Sequence, residues 1–153
     1  MTRPLRHPLH PALVHFPIAC WSLATLADIA SLWLGHPAWW LAGVLMAIGT
    51  LAALGAMGAG LFELAKIDES DPALRVAHRH MLAAMAAWLA YAASLLLRLD
   101  LPLDATPLTA PGALEIGLSV VGFGCLAVAG TLGGTLVYRH GVGVRGRPDR
   151  PAG

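Results

Sequence analysis

At 153 residues the chain has material for one domain. Hydrophobic residues make up 57% of it and charged residues only 12%, against roughly 25% charge in a water-soluble domain, so polar groups are too few to clothe a soluble fold and much of the surface must face lipid. A formal net charge of +1 excludes a general nucleic-acid binder.

An apolar layer about 30 Å thick takes roughly 20 helical residues to cross. Four segments meet that length, at about 13–34, 39–64, 80–98 and 113–139. The basic start followed by an apolar run has the look of a secretory leader. The run continues past Asp28 to Leu34, however, and reads as a retained helix. Gly35-His36-Pro37 separates the first two spans tightly. Asp68-Glu69-Ser70-Asp71-Pro72 is a polar turn able to cap the third. A Pro-rich loop from Leu101 to Pro111 precedes the fourth, and residues 141–153 form a Gly-, Arg- and Pro-rich tail. No long-period repeat of the solenoid kind is evident. The expected fold is an all-α, four-helix transmembrane bundle.

The basic residues give it a direction. Arg3, Arg6, Lys66, Arg75, Arg79, Arg139, Arg145, Arg147 and Arg150 fall at one end, and Arg98 alone at the other. Positive residues stay inside, which places both termini in the cytoplasm and the chain in a bacterial inner membrane. Trp33, Trp39 and Trp40 then anchor the outer interface and Tyr138 the inner one. Cys20 and Cys125 lie in separate apolar runs and read as small packing residues.

The histidines follow the same asymmetry. His7, His10, His15, His78, His80 and His140 all fall at the cytoplasmic ends of spans, leaving His36 outside. Imidazole is the commonest metal ligand and the usual axial ligand of b-type haem, and helix bundles build cofactor sites from facing helices. Interfacial histidines beside arginine are also ordinary helix-end residues. His78 and His80 point about 200° apart on a helix, so one tight site takes only one of them, and His80 opens the uncharged run. His7-Pro8-Leu9-His10-Pro11 reads as a stiff, extended segment. Pro17 either sits in the first helical turn or breaks the helix, leaving the Leu13 carbonyl without its usual donor.

Small residues lie below the histidines. Gly133 is seven residues before His140, Gly130 and Gly134 have GxxxG spacing, and the second span is rich in Gly and Ala. Such residues let membrane helices approach closely or leave room for a flat ring. Intramembrane charges are costly and must be paired or face the bundle. Arg98 and Glu115 are the expected pair. Glu63 is placed to orient a ligating histidine through its other ring nitrogen. Asp28 reads as a proton-binding or a packing residue.

Two stretches carry a family resemblance. His7-Pro8-Leu9-His10-Pro11 with Val14-His15-Phe16-Pro17-Ile18, and Gly130-Thr131-Leu132-Gly133-Gly134-Thr135-Leu136-Val137-Tyr138-Arg139-His140-Gly141-Val142-Gly143, resemble the two signatures of the domain of unknown function 2231 family, small bacterial and archaeal membrane proteins. Arg79-His80-Met81-Leu82 is similar to the opening of that family's third helix. Gly60-Leu61-Phe62-Glu63 departs from it slightly, its acidic residue being shifted. The resemblance implies four spans. Similar domains are sometimes joined to Rieske-type or cytochrome-like modules, which implies electron transfer, here with a separate redox partner protein or quinone.

The leading expectation is a haem b protein that carries electrons, with His10, His15, His80 and His140 as candidate iron ligands and His7 in reserve, supported by Glu63 and Gly133. The same histidines serve a second reading, a site binding or transporting Zn, Cu or Ni. In a third the chain is a non-catalytic membrane subunit whose small-residue faces dock a partner or a second copy. A carrier or binding protein fits better than a hydrolase or transferase, because no nucleophile elbow, P-loop or HExxH occurs.

Overall fold

The computed structural model describes residues 9–100 and 108–143. Among them are five helices: α1 (Leu9–Leu13), α2 (His15–Leu34), α3 (His36–Leu64), α4 (Ala73–Leu97) and α5 (Ala113–Tyr138). α1 and α2 together make the first of four helical runs long and apolar enough to cross a membrane. They form an up-down-up-down bundle. α2 packs along α3 and α4 along α5 most extensively, and α2–α5 and α3–α4 meet more lightly.

The packing is that of a lipid-facing protein. The buried positions are mostly small, with Ala24, Ala42, Ala53, Ala56, Ala87 and Ala129 inside. Large apolar side chains such as Leu51, Phe62, Leu82 and Leu96 are 65–76% exposed. In water this arrangement would leave apolar patches far beyond those of a soluble monomer. In lipid it costs nothing, because the hydrocarbon is as apolar as leucine and association rests on close approach instead.

Each turn follows from local chemistry. Gly35 alone links α2 to α3; a one-residue reversal needs positive φ, and Gly35 has φ 66°. Pro37 follows in the first turn of α3, where its missing N–H is harmless. The Asp71 carboxylate accepts the Ala73 amide at 2.8 Å, so α4 begins at Ala73, earlier than the apolar run alone suggests. Glu115 accepts the Gly112 amide at 2.8 Å and places its charge at the N-terminus of α5. At the far end of α5, Gly141 turns with φ 67°. The Val142 amide donates to Leu136 O at 2.9 Å and the Gly141 amide to Val137 O at 3.1 Å, a left-handed glycine ending that sets Val142 and Leu136 against Ala73 and Ala77.

Two expectations are corrected. The segment around His10 is helical, not extended: Val14 N donates to His10 O at 3.0 Å, and Pro11 lies in the first turn of α1. The chain passes almost straight from α1 into α2, with Ile18 N on Val14 O at 3.1 Å. The interruption at Val14 has a cause in Pro17, which is buried in the first turn of α2 and has no N–H to offer Leu13 O. The second correction concerns Arg98. It pairs with Asp28, not with Glu115, which is taken up in capping α5. The guanidinium meets both carboxylate oxygens, at 2.6 and 2.7 Å, and its Nη2 also donates to Ser94 Oγ at 2.9 Å. Both side chains are fully buried.

That pair belongs to a pattern. His10 faces His80, Trp21 stacks on Tyr91, and Asp28 binds Arg98. Each partner stands 70 positions after the other. α2 and α4 run in the same direction, so a half-turn about the bundle axis carries the first hairpin (α1, α2, α3) onto the second (α4, α5). The glycines obey it too. Gly49 lies against Trp21 and Gly122 against Tyr91, and Gly60 against His10 and Gly133 against His80. The chain is thus two equivalent hairpins meeting on three on-axis pairs.

Asp28→Asn strands a buried guanidinium and is expected to cost about 3–5 kcal/mol, seen as a lower unfolding temperature by circular dichroism in detergent. Because the half-turn exchanges positions 28 and 98, the double variant D28R/R98D is expected to recover most of that loss.

Candidate functional site

The first on-axis pair lies at the end of the bundle where α1 and α4 start and α3 and α5 finish. The His10 ring reaches α3, its Nδ1 lying 2.8 Å from Ala56 O. The His80 ring reaches α5, its Nδ1 lying 2.8 Å from Ala129 O. A carbonyl only accepts, so in each ring Nδ1 carries the proton and donates. In the neutral ring Nε2 then keeps its lone pair, the form in which imidazole binds a metal. The ring centroids are 6.1 Å apart and the planes are perpendicular.

The seats of the two rings are alike. Each accepting carbonyl belongs to the residue four positions before a glycine, Ala56 before Gly60 and Ala129 before Gly133. On a helix the side chain at i+4 lies over the carbonyl of residue i. Glycine there uncovers it. A Cβ on Gly60 would stand 3.0 Å from the His10 ring and one on Gly133 3.4 Å from the His80 ring. The expectation for Gly133 thus extends to an equivalent glycine in the first hairpin.

The floor of the site is the second pair. Trp21 and Tyr91 stack with centroids 4.9 Å apart and planes 7° from parallel. Tyr91 donates its hydroxyl to Trp21 O at 3.1 Å and shares a 2.7 Å hydrogen bond with Thr25 Oγ1. Trp21 Nε1 donates to Thr50 Oγ1 at 3.4 Å, and Trp88 Nε1 to Thr50 O at 3.2 Å. The polar edges of these rings are satisfied, which fixes the stack where α2 meets α4.

The other candidates fall elsewhere. His15 is exposed, its Nδ1 3.4 Å from Ala12 O in the same helical run. His140 lines a surface hollow with Pro72, Arg75, Val76, Arg79 and Arg139. His78 is exposed. His7 lies outside the described residues. Glu63 stands near the pair, but its Oε1 is 3.4 Å from the His10 main-chain amide; the ring nitrogen it was expected to hold is taken by Ala56 O. Among the described residues, no three His, Cys, Asp or Glu side chains converge as a metal-ion site. The sequence reading missed the two carbonyl seats and Gly60. An Ala-x-x-x-Gly spacing on the helix opposite each histidine was the available signal.

A family profile described as predicted membrane protein (DUF2231) matches residues 6–146, nearly the whole chain. The chain belongs to the DUF2231 family. No curated protein and no solved structure matches it. For this DUF2231 protein the chemistry must therefore be read from the residues. What the on-axis pair offers is two imidazoles, one from each hairpin, each fixed through Nδ1 and, in the neutral form, able to ligate through Nε2.

Gly49→Ala and Gly122→Ala place a Cβ 2.8 and 2.9 Å from the Trp21 and Tyr91 rings. Neither ring has slack, so each is expected to cost about 1–3 kcal/mol. Gly55→Ala and Gly124→Ala meet nothing within 4 Å and are expected to stabilise by up to about 1 kcal/mol. Thermal unfolding of the four variants in one detergent separates the two groups.

Proposed function

We propose that the protein binds one b-type haem between His10 and His80 and carries electrons at that end of the bundle. The observation that carries this reading is the pair itself. A porphyrin supplies four nitrogens and asks the protein for two axial imidazoles on opposite sides. The protein offers two, from different hairpins, each with Nδ1 committed to a carbonyl. Metal–imidazole bonds are about 2 Å long, and ring centres 6.1 Å apart leave both imidazoles within reach of one metal. Zn, Cu or Ni commonly take three or four protein ligands, and this pair provides two.

Bound haem would supply a one-electron iron couple; the chain's own residues bind and orient it. His10 and His80 would hold the iron. Ala56 O and Ala129 O keep the rings in one tautomer and raise their basicity, which favours the oxidised metal. Gly60 and Gly133 allow the rings to lie close to their helices. The Trp21–Tyr91 stack closes the site toward the membrane centre.

The side of the membrane follows from charge. Lys66, Arg75, Arg79 and Arg139 stand at the histidine end, while Arg98 at the other end is bound to Asp28. The effective asymmetry is therefore steeper than a count of basic residues suggests. It favours a cytoplasmic histidine end in a bacterial inner membrane. A soluble redox protein or a quinone would exchange electrons there.

The test is an absorption spectrum of the full chain, produced with ample haem and purified in detergent. A Soret band that shifts on reduction is expected, together with a positive pyridine haemochrome assay. His10→Ala and His80→Ala are each expected to lose the low-spin spectrum, and His15→Ala and His140→Ala to keep it. Protein that takes up no haem under these conditions overturns the reading. Stoichiometric zinc, copper or nickel found by elemental analysis in that protein would assign the pair to a metal ion instead.

A further inference from the structure

A second feature of the same end lies outside the bundle axis. The start of α4 and the end of α5 enclose a surface hollow of about 380 Å³, lined by Pro72, Arg75, Val76, Arg79, Arg139 and His140. Three of its six lining residues are arginines, and none is acidic. Among the described residues the one salt bridge is Asp28–Arg98, at the opposite end. Arg75 and Arg79 are four apart, hence neighbours on one helix face, where like charges repel.

The framework beneath them is fixed. Ala73 and Ala77, on either side of Arg75 in the chain, are buried against Leu136 and Val142. The glycine turn that seats Val142 also sets the direction of Arg139 and His140, the residues just before Gly141. A cluster of uncompensated guanidiniums on a rigid frame is a preformed receptor for a phosphate group, whose oxygens match the guanidinium fork. Depth says which phosphate. Tyr138, adjacent to Arg139, is 91% exposed, and Leu82, one turn below Arg79, is 66% exposed. An exposed aromatic beside arginine, with lipid-facing leucine below, marks the headgroup level of a bilayer. Basic pockets between helix ends at that level suit anionic headgroups.

We propose that this hollow binds the phosphate of an anionic phospholipid headgroup. The site is independent of the His10–His80 pair and stands whether or not haem binds there.

Thermal unfolding of the full chain in a neutral detergent tests it, with phosphatidylglycerol, phosphatidylcholine or inorganic phosphate added at equal concentration. Phosphatidylglycerol is expected to raise the unfolding temperature of the unsubstituted protein more than phosphatidylcholine does. The rise is expected to vanish in R75Q/R79Q/R139Q and to persist in Lys66→Gln, a charge removed at the same end but outside the hollow. Arg75→Gln alone, expected to lose part of the rise, serves if the triple variant does not fold. Equal rises in the unsubstituted and triple-substituted proteins, or equal effects of the two lipids, overturn the proposal. Inorganic phosphate matching phosphatidylglycerol would overturn the lipid assignment and leave a free-phosphate site.

Discussion

Helices in hydrocarbon gain little by being apolar, since every partner and the solvent are apolar alike. What remains to fix one arrangement is close approach and the pairing of the few polar groups. Here both are concentrated on the bundle axis. Glycines on α3 and α5 let the Trp21 and Tyr91 rings lie against the helix backbones, and the two rings stack where the hairpins meet. The Asp28–Arg98 pair then locks the register toward one end, because a slip of even one residue would leave a charge in lipid. The position of the histidine pair toward the other end follows from these two contacts.

Each level of the axis has its own chemistry. The ion pair binds through both Asp28 oxygens and to Ser94, leaving only Arg98 Nε without a partner, and the aromatic level is satisfied by Thr25, Thr50 and main-chain oxygens. The histidine level differs in leaving a metal-ligating ring nitrogen, Nε2, free of the carbonyl contact on each side. That contrast, more than the number of histidines in the chain, is what supports the proposal of a ligand at this level.

Much of the architecture was legible in the sequence. Four spans, the turn at Gly35, the capping turn before α4 and the gathering of small residues all follow from length, apolarity and local turn chemistry. Helical periodicity separated His78 from His80, and the uncharged run that His80 opens favoured it of the two. Pairings between helices were not legible in the same way. Arg98 stands near Glu115 at the level of helix ends, but which helix face it shares depends on rotation about the axis, and apolar stretches with little amphipathic contrast do not encode that rotation. The helical state of His10 was hidden by flanking prolines, whose usual effect is offset where a helix begins. The internal equivalence was hidden because matched positions carry different residues: Trp against Tyr, and Asp against Arg.

Those differences carry a consequence of their own. Two separate copies of one hairpin, joined on a true two-fold axis, would be forced to set every axial residue against itself: acid on acid, or base on base. Linking the hairpins through residues 65–72 into one polypeptide lifts that restriction. The halves are then free to specialise, one donating the carboxylate and the other the guanidinium, while His10 and His80 remain the level at which the two halves stay the same.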